Sequence, residues 1–446
     1  MRVYKPSGIE WLGEIPQGWE IKKLKYIGEI FGGVTGKTIK DFSKEYKLNF
    51  KPYITFTNVC NNAVINPDLM EYVFIDSKEK QNKVLKNDIL FLQSSETFED
   101  VGKSAIYLND DEVYLNTFCK GFRIEREAYP MYLNYLLSSL SYKRYFMSVC
   151  SGFTRINLRQ EHFLDIPLIL PPLQEQKEIA EFLDKKCEKI QNYIDKKQKL
   201  ITLLQEKKQA LINEVVTKGL NPNIEFKNSE IAYLGLIPHH WEAVKVKFTA
   251  YVKGRIGFHG LNSNEFRYDE GAYLVTGNDF DNNEVMWDKC RRVSEERFYE
   301  DPNIHLQNND LLITKDGTIG KTAIVNNCPK QATLNSGIFL VRTMKKMCFV
   351  KYLFFIINSQ YFKEFVNVKT SGSTIKHLYQ SDFHDLKIPL PPLQEQKQIA
   401  NFLDEKCEKI NSAIEKTKRQ ITLIKEYKNT LINEAVCGRI KLKEVK

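Results

Sequence analysis

No two cysteines of this chain stand in a CxxC spacing, and none of its seven histidines falls in a metal-binding spacing such as HExxH. These absences remove zinc ribbons, dithiol redox sites and the common zinc hydrolases. The nine cysteines are scattered, and an odd count without spacing logic fits free thiols in a reducing cytosol. Phosphate-binding loops are narrowly missed. Gly32-Gly33-Val34-Thr35-Gly36-Lys37-Thr38 ends like a P-loop, but Phe31 stands where its first glycine belongs; Gly320-Lys321-Thr322 fails likewise at Lys315. No GxGxxG follows a strand pattern, and no Asn-Pro-Pro-aromatic tetrad occurs. Asp41, Glu45 and Lys47 have the residue types of a nuclease site, yet such strings are common in a charged chain and read as a solvated turn. Long apolar runs are missing too. Tyr352–Asn358 is too short to span a bilayer, and the first residues lack the apolar core of a signal peptide. The expectation is a soluble, cytoplasmic protein with no membrane partner that binds something and does no covalent chemistry.

What the chain does have is one sentence written twice. Pro171–Ile190 (PPLQEQKEIAEFLDKKCEKI) and Pro391–Ile410 (PPLQEQKQIANFLDEKCEKI) differ at three aligned positions, 220 residues apart in a chain of 446. Such a repeat fixes the architecture before any other reasoning. It extends outward: Gly13, Pro16 and Trp19 align with Gly235, Pro238 and Trp241, and Asn87-Asp88 with Asn309-Asp310. Gly102-Lys103 aligns with Gly320-Lys321, Leu115-Asn116 with Leu334-Asn335, and Ser151–Phe163 with Ser371–Phe383. Each copy is a head followed by a tail, and the heads have diverged while the tails have not. Heads are expected over 1–170 and 221–390, tails over 171–220 and 391–446.

The tails carry apolar residues three and four apart: Ile179, Leu183, Cys187, Ile190, Ile194, Ile201, Leu204, Leu211, Val215, and again Leu403, Cys407, Ile410, Ile414, Ile421, Ile424, Leu431, Ala435. That is one face of a long helix, opened by a proline pair and closed near Gly219 and Gly438. About 45 residues make a rod of roughly 65–70 Å, whose stripe is covered if the two rods pair. Lys197, Lys208 and Lys428 interrupt the stripe and leave flanking faces for another protein. The heads alternate short β-rich runs (Pro52–Val59, Ile89–Gln93, Ser104–Leu108, Ala272–Thr276, Leu311–Thr314, Thr322–Val325) with turns, then end in aromatic helical patches at Met131–Val149 and Val350–Phe365. Mixed α/β heads follow. Trp19 and Trp241 read as packing residues, His239-His240 as a turn, and Gly102, Gly317 and Gly320 as turn formers.

The formal charge of +9 points toward an anionic partner such as nucleic acid. The residues alone leave open a two-headed scaffold that binds protein and no DNA; an autonomous nuclease or methyltransferase lacks every motif it would need.

Leu170–Gln176, Pro389–Gln396, Asp310–Lys321 (DLLITKDGTIGK), Asn335–Ile338 and Ser371–Thr374 resemble the specificity subunit of type I restriction-modification systems, in the family's order of head, helix, head, helix. The resemblance implies two target recognition domains joined by helices that pair as an antiparallel coiled coil with pseudo-two-fold symmetry. Each domain would read one half of a bipartite target in double-stranded DNA. Two methyltransferase subunits would dock on the helices, and restriction subunits would join through the complex. S-adenosylmethionine, ATP and magnesium would belong to those partners, with no cofactor on this chain. The candidate DNA contacts in the second head are Lys315, Thr318, Lys321, Thr374, Lys376 and His377, with Thr276 and Asn278 close by. In the first they are Gln93, Ser94, Lys103, Thr154, Arg155, Asn157 and Arg159. Lys, Arg and Ser/Thr suit phosphates, while Asn, Gln, Arg and His suit base edges. The first head reads Gln93–Glu96 and Asp100–Lys103 where the second reads Thr314–Lys321, so contacts are not expected to correspond one to one.

Overall fold

The computed structural model describes residues 2–440 except 127, 153, 232–233, 256–259 and 371–375. By contacts the chain divides into two units that cut across the linear order of head and tail. One comprises Met1–Lys197 with Arg419–Lys446, the other Gln198–Lys418. The long helices are Leu173–Lys218 and Leu393–Val436. Each unit therefore holds one head, the start of one long helix and the end of the other.

The first head is built on an antiparallel sheet in the order Ser104–Ile106, Ile89–Leu92, Cys119–Ile124, Gly28–Gly32. Alternation along the buried strand Ile89–Leu92 decides both of its faces. Leu90 and Leu92 join Ile54, Val59, Ala105 and Leu115, while Phe91 packs on the rings of Phe146 and Phe163. A second sheet runs Tyr114–Leu115, Phe50–Ile54, Glu71–Phe74, Phe42–Ser43, with its first pair parallel. The second head repeats the plan with a central sheet of six strands: Ala250–Gly254, Ile338–Thr343, Leu311–Thr314, Thr322–Ile324, Glu284–Val285, Phe280–Asp281. Its companion sheet is Arg291–Val293, Ala272–Val275, Ala332–Leu334, and the last two strands are parallel.

Three local expectations are corrected. The run Pro52–Val59 is strand only to Ile54, because the Thr55 hydroxyl accepts from Asn58 N at 3.2 Å and caps the helix Phe56–Asn61. Each aromatic patch is two helices rather than one, Pro130–Leu137 with Leu140–Val149 and Val350–Ile357 with Gln360–Thr370. On the helical stripe, Leu204 and Leu211 are only half-buried, while Ile212 and Val216 are buried instead.

The repeated Asn-Asp pair is a staple. Asn87 and Asn309 take left-handed backbone (φ 73° and 71°), which asparagine tolerates. The aspartates that follow are buried. Asp310 receives Arg342 Nε at 2.7 Å and Nη2 at 2.8 Å, and Asp88 receives Arg123 at 3.1 and 2.7 Å. Burial pushes the Asp88 carboxyl up, against the pull of Arg123.

The near-identical PPLQEQ segments fasten helix to head. Gln396 is fully buried; its carbonyl oxygen accepts from Phe349 N at 2.8 Å, and its amide donates to the Met347 and Pro391 oxygens at 3.0 and 2.8 Å. Gln176 does the same with Tyr129 N and Pro171 O, both at 2.9 Å. The preceding glutamate takes the tryptophan N–H, Trp19 to Glu175 at 2.9 Å and Trp241 to Glu395 at 3.2 Å. So the tryptophans do more than pack, and His240 is more than a turn, since its Nε2 lies 2.8 Å from Glu395. In the first unit Arg2 pairs with Glu175.

The far end of the other helix meets the same tryptophan. A Cβ on Gly438 would lie 2.8 Å from the Trp19 ring, and one on Gly219 3.2 Å from Trp241. The Tyr132 hydroxyl reaches both Ile169 O (2.8 Å) and Val436 O (3.3 Å), and Tyr352 reaches Pro389 O (2.7 Å) and Val216 O (3.4 Å). With Lys208 Nζ 2.9 Å from Asn411, late residues of one helix lie beside early residues of the other within the second unit. That is the antiparallel sense.

Two predictions follow from these fastenings. Gln396→Ala strands one buried N–H and two carbonyls and should cost about 3 kcal/mol, whereas exposed Gln174→Ala should cost under about 0.5 kcal/mol. Asp310→Ala removes the buried acceptor of Arg342 and of Gln307 N and should cost about 2–3 kcal/mol. Chemical denaturation of the full chain measures both.

Candidate functional site

In the second unit the strand Leu311–Thr314 opens into a loop and returns as Thr322–Ile324. Thr314 ties the loop together, donating to Thr318 O and accepting from Lys321 N at 3.0 Å. Gly317 and Gly320 supply its positive φ angles, 66° and 88°. Two further segments then join. Lys315 N donates to Gly337 O, and Leu378 N to Lys315 O, both at 2.9 Å. Asp316 and His377 form an antiparallel bridge, with a hydrogen bond between the His377 Nδ1 and the Asp316 carboxylate. Lys315, Lys376 and His377 are thus brought to one place, beside the turn Asn335–Gly337. Lys315 lies along the Phe339 ring at 5.3 Å, half-buried, and Lys376 is exposed.

The turn at Thr276 sits close by. A Cβ on Gly277 would stand 2.8 Å from Thr314 Cγ2, so glycine permits the approach. The amide and hydroxyl of Thr276 both go to Asp279, at 2.7 and 2.9 Å, while Asn278 is exposed. Thr374 lies outside the described residues. Thr318 and Lys321 face elsewhere. They line a cleft of about 1400 Å³ with Lys208, Lys351, Asp404 and Glu408.

The first unit joins the corresponding segments by a short sheet, Ser94–Ser95 with Ile156–Asn157. Gln93 exchanges two bonds with Leu158: Leu158 N donates to Gln93 O at 2.9 Å, and Gln93 Nε2 donates to Leu158 O at 3.2 Å. Ser94 is only 7% exposed, so its side chain points inward. Thr154, Arg155, Asn157 and Arg159 are exposed. The Arg155 guanidinium lies 4.0 Å from the Phe118 ring centroid, and Arg159 is 3.4 Å from Glu161. Lys103 stands apart from these. It pairs with Asp100 at 2.6 Å and lines a cleft of about 390 Å³ with Cys60, Asn62 and Asn429. Burial works against its charge, but Asp100 and Cys60 together outweigh that and raise its pKa.

Asp41 of the nuclease-like string is occupied as a cap, accepting from Thr38 N and Oγ1 at 2.7 and 2.8 Å. Among the described residues no cluster of His, Cys, Asp or Glu could hold a metal ion, and no helix is long and apolar enough to cross a membrane.

Sequence reasoning passed over three members of the two clusters. Phe118 is exposed under Arg155, Tyr379 is exposed 4.7 Å from His377, and Asp316 orients that histidine. A signal existed in each case: an aromatic or acidic residue within two positions of the repeat landmarks at Asn116, Lys315 and His377.

A paired sheet strand feeding a loop, joined to the segment before the long helix, is thus built twice from diverged residues. The description "Type I restriction modification DNA specificity domain" matches residues 16–204 and 260–423. The chain belongs to the family of type I restriction-modification DNA specificity subunits. It is 25% identical over 458 residues to the type I restriction enzyme MjaVIII specificity subunit of Methanocaldococcus jannaschii, covering 100% of this chain and 99% of that one. The EcoKI specificity subunit of Escherichia coli is 22% identical, with 88% and 83% covered. Its fold is similar to a chain solved in work on assembly and conformational transition of the type I R-M system (TM-score 0.73, 16% identity, 96% and 99% covered). The HsdS subunit from Thermoanaerobacter tengcongensis gives TM-score 0.52 at 16% identity, with 96% and 98% covered.

The loop geometry predicts unequal glycines. Gly102 has φ 78° and a Cβ there would lie 2.4 Å from Phe146, so Gly102→Ala should cost more than about 2 kcal/mol. Gly317 has φ 66° in open space, and Gly317→Ala should cost about 1 kcal/mol. Thermal melts of the two variants check the order.

Proposed function

We propose that the chain is the non-catalytic DNA-reading subunit of a type I restriction-modification complex, each head reading one half of a bipartite target. The observation that carries this reading is the twice-built cluster, Lys315–Asn335–Lys376–His377 in one head and Gln93–Thr154–Arg155–Asn157 in the other. The second offers amide and imidazole groups for base edges beside Lys315 and Lys376 for phosphates, and the first offers amide and guanidinium groups. Their side chains differ, as two different half-sites require. Thr318, Lys321 and Lys103, on the clefts, serve phosphate contacts at the margin; Arg159, Thr276 and Asn278 flank the reading groups. The heads correspond to 1–170 and 221–390, and the helices of 171–220 and 391–446 follow them as spacers. Methylation with S-adenosylmethionine and ATP- and magnesium-dependent cleavage then belong to the partner subunits.

Docking of two methyltransferase subunits fits the exposed apolar side chains at one repeat position of both long helices, Leu203 (51% exposed) and Leu423 (55% exposed). Covering a leucine contributes roughly 2 kcal/mol. Leu203→Glu with Leu423→Glu should therefore weaken capture of the methyltransferase subunit at least ten-fold in pull-down titrations. Full capture at two copies per chain would remove the helices as the docking surface.

DNA reading is tested by binding of the assembled complex across a salt series. Lys315→Ala with Lys321→Ala should weaken binding and flatten the log–log salt slope by about 2, since each phosphate contact contributes about 0.9. An unchanged slope would sink those two contacts. Binding without salt dependence or sequence preference would favour the two-headed scaffold.

A further inference from the structure

Arg255 is among the largest fully buried side chains of the second head, 2% exposed, immediately after the strand Ala250–Gly254. Strand pairing makes its position the equivalent of Gly33 in the first head: Gly254 pairs with Phe339 as Gly32 pairs with Lys120. The two heads solve one problem in different ways. In the first, Val34 N donates to the carbonyl of Leu115 at 2.8 Å, and Gly33 permits the approach, since a Cβ would fall 2.0 Å from Asn116 O. In the second, the Arg255 side chain does that work. Its Nε donates to the carbonyl of Leu334 at 3.0 Å, and its Nη2 lies 3.3 Å from the Thr333 hydroxyl. Among the described residues Nη1 is buried without a hydrogen-bond partner, and burial lowers the arginine's pKa. A buried guanidinium so incompletely satisfied is a poor way to stabilise a fold. The glycine arrangement of the first head answers the equivalent carbonyl with a backbone N–H and buries no charge.

Its location gives it another use. Leu334 ends the strand that leads into Asn335–Gly337; Gly337 O takes Lys315 N, and Asp316 next to it holds His377. We propose that Arg255 is a positioning residue for DNA reading by the second head, holding the Thr333–Leu334 strand end so that the Asn335–Gly337 turn and the Lys315–His377 cluster keep one arrangement. It thereby fixes the base preference of one half-site and leaves the other untouched. This rests on the DNA-reading role proposed above.

The test is adenine-methylation mapping in a methylation-free host expressing the methyltransferase subunit with wild-type chain, Arg255→Met, Arg255→Lys or the core variant Val325→Ala. Arg255→Met should keep one half of the wild-type motif and lose discrimination roughly ten-fold at one or more bases of the other half. Arg255→Lys keeps the charge but replaces the rigid fork of Nε and Nη2 with one ammonium on a flexible stem, and should relax the same bases less. It also decides the matter if the methionine variant fails to accumulate. Val325→Ala, at a fully buried site of the same head, should lower the methylated fraction with every base preference retained. Variants that methylate the wild-type motif with wild-type preferences, at full or reduced occupancy, overturn the proposal. A wild-type chain that yields no two-part motif would overturn the DNA-reading role itself.

Discussion

Everything in this protein hangs on the buried amide that opens each long helix. Gln176 and Gln396 answer backbone groups of the head that precedes them, where water cannot. A helix that began two residues earlier or later would leave those groups unpaired at a cost of a few kcal/mol. The neighbouring glutamates add the tryptophan N–H, and the tryptophans in turn receive the closing glycine of the other helix. Head, helix start and helix end are thereby one cooperative body in each unit. This is why the PPLQEQ segments differ so little: of their polar side chains, only the first glutamine of each copy, Gln174 and Gln394, is turned to solvent, and Gln174 bonds Glu178 one turn on.

The loops proposed to read DNA obey a looser constraint. Their backbones are fixed by a few bonds, from Thr314, Gly337 and Leu378 in one head and from Ser95, Phe118 and Leu158 in the other. Their outward side chains bear no packing load and are free to diverge. Rigid attachment with variable tips is how loops on a scaffold carry specificity. The price is local: an oriented histidine beside Asp316, a cation over Phe118, and in the second head a buried arginine.

The repeat, the long helices and the mixed α/β character of the heads were legible in the sequence, because periodicity and self-similarity survive without tertiary information. Lys315 and His377, like Gln93 and Asn157, were candidates through the family resemblance, but the backbone bonds that join Lys315 to Leu378 and Gln93 to Leu158 were not legible in the sequence. Neither was the work of PPLQEQ. Its partners sit 47 residues away at Tyr129 and Phe349 and 156 and 154 residues away at Trp19 and Trp241, and no local pattern links them. Nor was the division into units, which joins Gly438 to Trp19 across nearly the whole chain. Ile212 and Val216 were missed for a related reason: near its end the helix turns its buried face from its partner toward the head, where Tyr352 reaches Val216 O. The candidate set mixed two surfaces, cluster and cleft, because lysines at 315 and 321 look alike until the loop between them is folded.

The most direct measurement is the adenine-methylation pattern of a methylation-free host that expresses this chain with its methyltransferase subunit, set against the methyltransferase alone. A two-part asymmetric motif with a fixed unread spacer, present only with this chain, is the predicted result. A stable complex that adds no new motif would contradict the reading of two DNA half-sites by two heads.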